Sequence, residues 1–101
     1  KIAAGWYVDG RAGAFLGTHT HVQTADELIL PGGTAYITDA GMTGSYEGVI
    51  GAKKERVLQR FLTQMPLRIE PARGKRQLCG VHCMINPSGR AEKIERILIR
   101  E

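Results

Sequence analysis

The sequence predicts an α/β fold, and three stretches of its 101 residues carry that prediction. Residues 12–16 (AGAFL) are small and apolar without alternation, the pattern of a short strand covered on both faces. Residues 53–64 (KKERVLQRFLTQ) set Val57, Leu58, Phe61 and Leu62, with Met65 beyond them, on one helical stripe, while Lys54, Arg56, Gln59 and Arg60 cover the other side. Residues 77–100 hold two apolar-rich runs on either side of Asn86-Pro87-Ser88-Gly89, a tight turn with proline second and glycine fourth.

Taken in order, residues 1–9 (KIAAGWYVD) align Ile2, Ala3, Trp6 and Tyr7 and read as the end of a helix stopped at Gly10, with Gly5 weakening it. The strand at 12–16 follows. Residues 24–33 are expected to form a loop closed by the turn signal Pro31-Gly32-Gly33, and residues 34–38 (TAYIT) a second short strand. Asp39 to Gly44 is a glycine-punctuated loop, and residues 45–52 continue it because Gly48 and Gly51 hinder a helix. The helix at 53–64 is expected to pack its stripe on the fold and to end before Pro66. Residues 67–70 alternate apolar and charged positions, the sign of a half-buried strand. Residues 77–85 form a strand with Val81, Cys83 and Ile85 on one face and a partly exposed His82 on the other. Residues 90–100 fit a helix through Ala91, Ile94, Ile97 and Leu98, but the preceding turn and the Ile97-Leu98-Ile99 core favour the returning arm of a hairpin.

Hydrophobic residues make up 43% and charged residues 24% of the chain, an ordinary balance for one globular domain. No apolar run approaches a membrane span and nothing resembles a secretion signal, so the expected setting is cytoplasmic, with no membrane partner. The opening at Lys1, already in structured-looking sequence, reads as a piece of a longer protein. The net charge of +4 is spread among interleaved acids, which argues for a solvated surface and favours an anionic substrate over a cationic one. Cys79 and Cys83 flank His82, but residues four apart on a strand are separated by roughly 13 Å. A buried, reduced pair is therefore expected, as in a reducing compartment.

The stretch that carries chemistry is Gly17-Thr18-His19-Thr20-His21, which holds two of the three histidines. At the end of an extended strand, residues i and i+2 point the same way, with Cα atoms roughly 6.6 Å apart, a geometry suited to two ligands of one metal centre. Gly17 allows close backbone approach or a turn, and Thr18 and Thr20 can hydrogen-bond neighbouring groups without competing as ligands. Asp39 can be a ligand, a carboxylate orienting a ligand histidine, or a helix cap; a supporting role is preferred, because nothing near it in sequence completes a ligand set.

The run GTHTHVQTAD, followed by LPGGTAYITDAGMTG, by VIG and by a hairpin ending in IERI, resembles the C-terminal part of the YmdB-type calcineurin-like metallophosphoesterases, as does the opening AAGWYVDGR. The resemblance runs over essentially the whole chain. It implies an α/β sandwich ending in a β-hairpin, of which residues 1–101 are the C-terminal segment, and a two-metal phosphodiesterase of the 2′,3′-cyclic nucleotide type. It further implies that His19 and His21 are the last two protein ligands of two divalent ions, iron or manganese. Small phosphodiesters or cyclic nucleotides are the implied substrates, with a link to RNA metabolism in some members, and association into a homo-oligomer is left open. The extra Thr18 between Gly17 and His19 departs from the commoner Gly-His-x-His and matches this branch. The family's aspartate, glutamate-asparagine, asparagine-histidine and further histidine ligands lie outside the sequence. The piece is thus expected to be inactive alone. Two other readings compete: a non-catalytic metal- or nucleotide-binding module using His19, His21 and Asp39, and a piece of a metal-dependent amidohydrolase, which needs later histidines that His82 alone can supply.

Overall fold

A computed structural model describes all of residues 1–101 and contains, in order, α1 (Ile2–Val8), β1 (Ala14–Leu16), β2 (Leu28–Ile29), β3 (Ala35–Ile37), β4 (Gly44–Ser45), α2 (Lys54–Thr63), β5 (Arg76–Ile85) and β6 (Ala91–Arg100). The strands form two three-stranded sheets, β1-β3-β2 and β4-β5-β6. The α/β expectation holds. No helix is long and apolar enough to cross a membrane.

The core gathers on β3, whose Ala35, Tyr36 and Ile37 are all buried. β1 runs parallel to it in the register Ala14–Ala35, Phe15–Tyr36 and Leu16–Ile37, and the Phe15 and Tyr36 rings stack at 5.7 Å. Leu28–Ile29, expected in a loop, is corrected to a strand that pairs antiparallel with β3; within this chain β1 lies at the sheet edge with Leu16 45% exposed, and β3 is the strand buried along its length. Edge position follows from the order of strands in the sheet, where β3 is the one strand with neighbours on both sides.

Polar residues weld α1 to this sheet. The Asp9 carboxylate accepts from the backbone N–H of Gly32 at 2.7 Å and of Thr34 at 3.2 Å. The buried Thr34 hydroxyl donates to the Ala12 carbonyl at 2.6 Å and accepts from the Gly10 N–H at 2.9 Å. Gly5, read as a weakness, has a packing purpose: a Cβ there would fall 2.5 Å from the Tyr36 ring, so only glycine lets α1 lie this close to β3.

α2 forms where its periodicity places it and closes on Gln64, whose left-handed φ of 54° directs its N–H to the Arg60 carbonyl. Its stripe, however, is not packed. Phe61 is 76% and Leu62 85% exposed, and no residue of the helix is buried. The helix projects between Ala52 and Pro71, and its apolar side lines an open groove of about 710 Å³ with Val49, Ile50 and Ile69. Residues 67–70 are irregular rather than a strand, because no strand lies alongside to pair them; Lys53 instead holds Glu70 by its ammonium group and by its N–H to the Glu70 carbonyl. Gly44–Ser45, expected in a loop, is a two-residue strand on the edge of β5.

The closing hairpin is as expected. β5 and β6 pair from Gln77–Arg100 to Met84–Lys93, with an irregularity at Met84/Ile85. In the turn, the Asn86 side-chain oxygen accepts from the N–H groups of Ser88 and Arg90 at 3.1 and 3.0 Å. His82 is exposed and bonds Glu95 across the strands at 2.9 Å. Cys79 and Cys83 are free and half-buried rather than buried, since the hairpin has one face in solvent. Hairpin and helix together stretch the molecule to 52 × 29 × 17 Å with a radius of gyration of 17.0 Å, against about 13 Å for a compact domain this long. Only 12 residues are buried, and the accessible surface of 6926 Å² exceeds the roughly 5,700 Å² of a compact protein of this mass.

Candidate functional site

The histidine loop leaves β1 at Gly17, whose N–H bonds the Ile37 carbonyl at 2.9 Å and whose carbonyl accepts from the Ala40 N–H at 2.8 Å. A side chain at Gly17 would land on the Thr38 carbonyl oxygen, so the loop rides on the end of β3 because this residue has none.

Asp39 holds the next turn. It is fully buried and accepts from the Thr20 N–H and hydroxyl, both at 2.7 Å, from the Gly41 N–H at 2.9 Å and from the Lys1 ammonium at 3.4 Å. Burial alone would raise its pKa, but the bonds from Thr20, Gly41 and Lys1 outweigh that and hold the carboxyl at about 2. Asp39 therefore touches neither imidazole; it fixes both histidines through the backbone of the residue between them. Thr18 is exposed and makes no side-chain hydrogen bond. A second carboxylate, Asp26, accepts from the Thr24 hydroxyl at 2.6 Å, from the Thr38 N–H at 3.1 Å and from the Thr38 hydroxyl. Burial pushes this carboxyl up, and the threonine bonds prevail and lower it. Thr24 also accepts from the Asp39 N–H at 2.9 Å, and the Gln23 side-chain nitrogen lies within 3.2 Å of the Ala40, Gly80 and Ile97 carbonyls, tying the loop to the hairpin.

The backbone at the histidines is not extended. His19 has φ 134° and His21 φ 64°, both in the left-handed region, because the Thr20 N–H turns inward to Asp39. The side-by-side geometry expected of a strand end is thus replaced by a tight turn that carries both imidazoles into solvent. Such φ values cost about 1–3 kcal/mol each and persist only where the surroundings impose them. His21 Nδ1 lies 3.0 Å from the Ile50 carbonyl oxygen. A carbonyl can only accept, so Nδ1 carries the hydrogen, which in the neutral ring leaves the Nε2 lone pair open. A ligand histidine needs this arrangement, with one nitrogen anchored and the other open. Ile50 is itself at φ 46°, an outlier for a β-branched residue, and that turn is what aims its carbonyl.

Of the residues singled out in the sequence, Thr20 and Asp39 come together, and His21 gains a partner 29 residues away. No group of three or more His, Cys, Asp or Glu side chains able to hold a metal ion is present. His21 is the residue whose surroundings suit a ligand role, with one ring nitrogen anchored and the other directed away from that contact. Thr24, Asp26, Gln23 and Ile50 escaped the sequence reading; the Thr-x-Asp spacing at 24–26 was the available signal for the first two.

A model of the family described as YmdB-like protein matches residues 1–97. A 2′,3′-cyclic-nucleotide 2′-phosphodiesterase of Bacillus subtilis (strain 168) is 57% identical over 102 residues, a match that takes in all of this chain and 39% of the relative. Among solved structures, a hypothetical protein of Thermus thermophilus superposes with a TM-score of 0.95 at 44% identity, with 100% of this chain and 40% of that one covered. A novel phosphatase of Mycoplasma pneumoniae gives a TM-score of 0.92 at 36% identity, with 98% and 36% covered. The chain thus spans well under half the length of these relatives, and its α/β fold is theirs over that span. Match, identity and superposition agree with the histidine loop and closing hairpin on one conclusion: the chain belongs to the YmdB-like family.

Proposed function

We propose that residues 1–101 form part of the active site of a phosphodiesterase acting on small phosphodiesters such as 2′,3′-cyclic nucleotides, with His19 and His21 as ligands of a two-metal centre of iron or manganese. The observation that carries the reading is His21: its Nδ1–H is anchored on Ile50 and its Nε2 is free, on a loop locked by a buried carboxylate. The relative named for 2′,3′-cyclic nucleotide hydrolysis supports the choice of substrate. When bound, paired ions would lower the pKa of a water and offset the charge on phosphoryl oxygens. This chain supplies His21 with its Nδ1 held by the Ile50 carbonyl, and a turn held by the Asp39 carboxylate that presents His19 and His21 one residue apart. Hydrolysis adds water across one P–O bond, the oxygen going to phosphorus and a proton to the released hydroxyl. The histidine pair alone does not complete such a centre, so the remaining ligands come from residues outside this chain's sequence.

The test is turnover of a 2′,3′-cyclic nucleotide by the full-length protein supplied with manganese or iron, before and after exhaustive chelation and after thiol alkylation. Activity should vanish on chelation and survive alkylation. Activity that persists without metal would overturn the proposal; metal and nucleotide binding without turnover would favour a non-catalytic module.

A further inference from the structure

A cleft of about 270 Å³ opens between the histidine loop and the hairpin, with His21 on one wall and Gln77, Leu98, Arg96 and Arg100 on the other. It is a little below the ~300 Å³ at which small-ligand clefts begin, room for one compact unit. Its chemistry is one-sided. Two arginines of β6 line it: Arg96 is paired with Glu27, its Nε 3.0 Å from the carboxylate, and Arg100 Nε donates to the Gln77 carboxamide oxygen at 3.0 Å. Arg100 is also stacked on the Tyr46 ring at 4.9 Å. The terminal nitrogens of each guanidinium make no hydrogen bond within this chain, while Arg96 is held by its ion pair and Arg100 by its hydrogen bond and stack. No carboxylate lines the cleft. Val22, Met42 and Ile50 complete it with apolar surface.

Prearranged guanidinium donors at a cleft that no carboxylate lines favour an anion, and the forked geometry suits a phosphate. A cyclic mononucleotide has a single phosphate, which must sit at the histidines if it is to be cleaved. Arg96 and Arg100, on the wall opposite His21, offer donors for a second anion. A polynucleotide end carries another phosphate one nucleotide away, together with a base and sugar for the apolar surface. We propose, resting on the phosphodiesterase reading above, that this cleft binds the nucleotide preceding the scissile one, so that the preferred substrate is an oligoribonucleotide ending in a 2′,3′-cyclic phosphate rather than a free cyclic mononucleotide.

The test compares a dinucleotide with a mononucleotide on the full-length protein: kcat/KM for the two cyclic phosphates, and calorimetric affinity for the corresponding 3′-phosphates, which need no turnover. Two charge-assisted contacts should favour the dinucleotide by about tenfold or more in both measurements. In R100Q this ratio should fall toward one. Because removing Arg96 alone would strand the Glu27 carboxylate, the second variant is E27Q/R96Q, which removes both charges and should lower the ratio likewise. Equal affinity for the two 3′-phosphates in the wild type, or a ratio unchanged in both variants, would overturn the proposal. Absence of turnover with the expected affinity ratio would overturn the phosphodiesterase reading and keep an anion-binding cleft.

Discussion

Replacing Asp39 with asparagine removes the charge from the buried oxygen pair that holds the histidine turn. One oxygen accepts from the Thr20 N–H and hydroxyl, the other from the Gly41 N–H. An asparagine must present its NH₂ to one of these donors whichever way it turns, so a partly buried backbone N–H loses its acceptor, at a cost of about 1–3 kcal/mol. The pKa gives an independent scale. A drop from 3.8 to about 2 is worth about 2 kcal/mol of stability above pH 4. The two figures describe the same bonds and are not summed. The sign follows from a folded pKa below the unfolded one: the contribution is complete above pH 3.8 and is lost as pH falls through about 2. Urea unfolding of full-length wild type and D39N should therefore differ by about 2 kcal/mol at pH 7 and converge between pH 4 and pH 2. Metal affinity should fall as well, by about 10–100-fold, since the ligands lose their support. A difference under about 0.5 kcal/mol at pH 7, or one that does not shrink in acid, would refute the reasoning.

Other perturbations follow from the packing. Gly5→Ala forces a methyl to 2.5 Å from the Tyr36 ring and should destabilise by about 1–3 kcal/mol, read as a lowered thermal midpoint. Cys79→Ser with Cys83→Ser should leave phosphodiester turnover intact, because both thiols are free on the hairpin and burial pushes the Cys83 thiol up, away from the reactive thiolate. Residues 1–101 expressed alone should self-associate in sedimentation at micromolar concentration, given Phe61 and Leu62 exposed on α2 and Trp6 and Tyr7 on α1; a monodisperse monomer would contradict this.

What could be read from the sequence was local. The hairpin announced itself through Asn86-Pro87-Ser88-Gly89, and α2 through its periodicity, because turn chemistry and helical spacing are properties of neighbouring residues. The packing of α2 was not readable: an apolar stripe calls for a partner surface without saying that this chain contains one. Residues 67–70 show the same limit, since alternation describes a strand only where another strand is in reach. At the site, the histidines stood out by type and spacing, but their turn is set by Asp39, far along the chain, and by a backbone carbonyl at Ile50. Main-chain acceptors and left-handed φ values leave no mark in residue identity, apart from glycine. Gly5 shows the converse, a poor helix former placed by the ring above it.

The central claim is that His19 and His21 hold metal. Elemental analysis of the purified full-length protein against its H19A and H21A variants, each confirmed folded by its unfolding midpoint, tests it directly. Each exposed imidazole can be removed without opening an apolar cavity, so the fold should survive while bound iron or manganese falls well below the wild-type stoichiometry. Undiminished metal content in both variants would contradict the account.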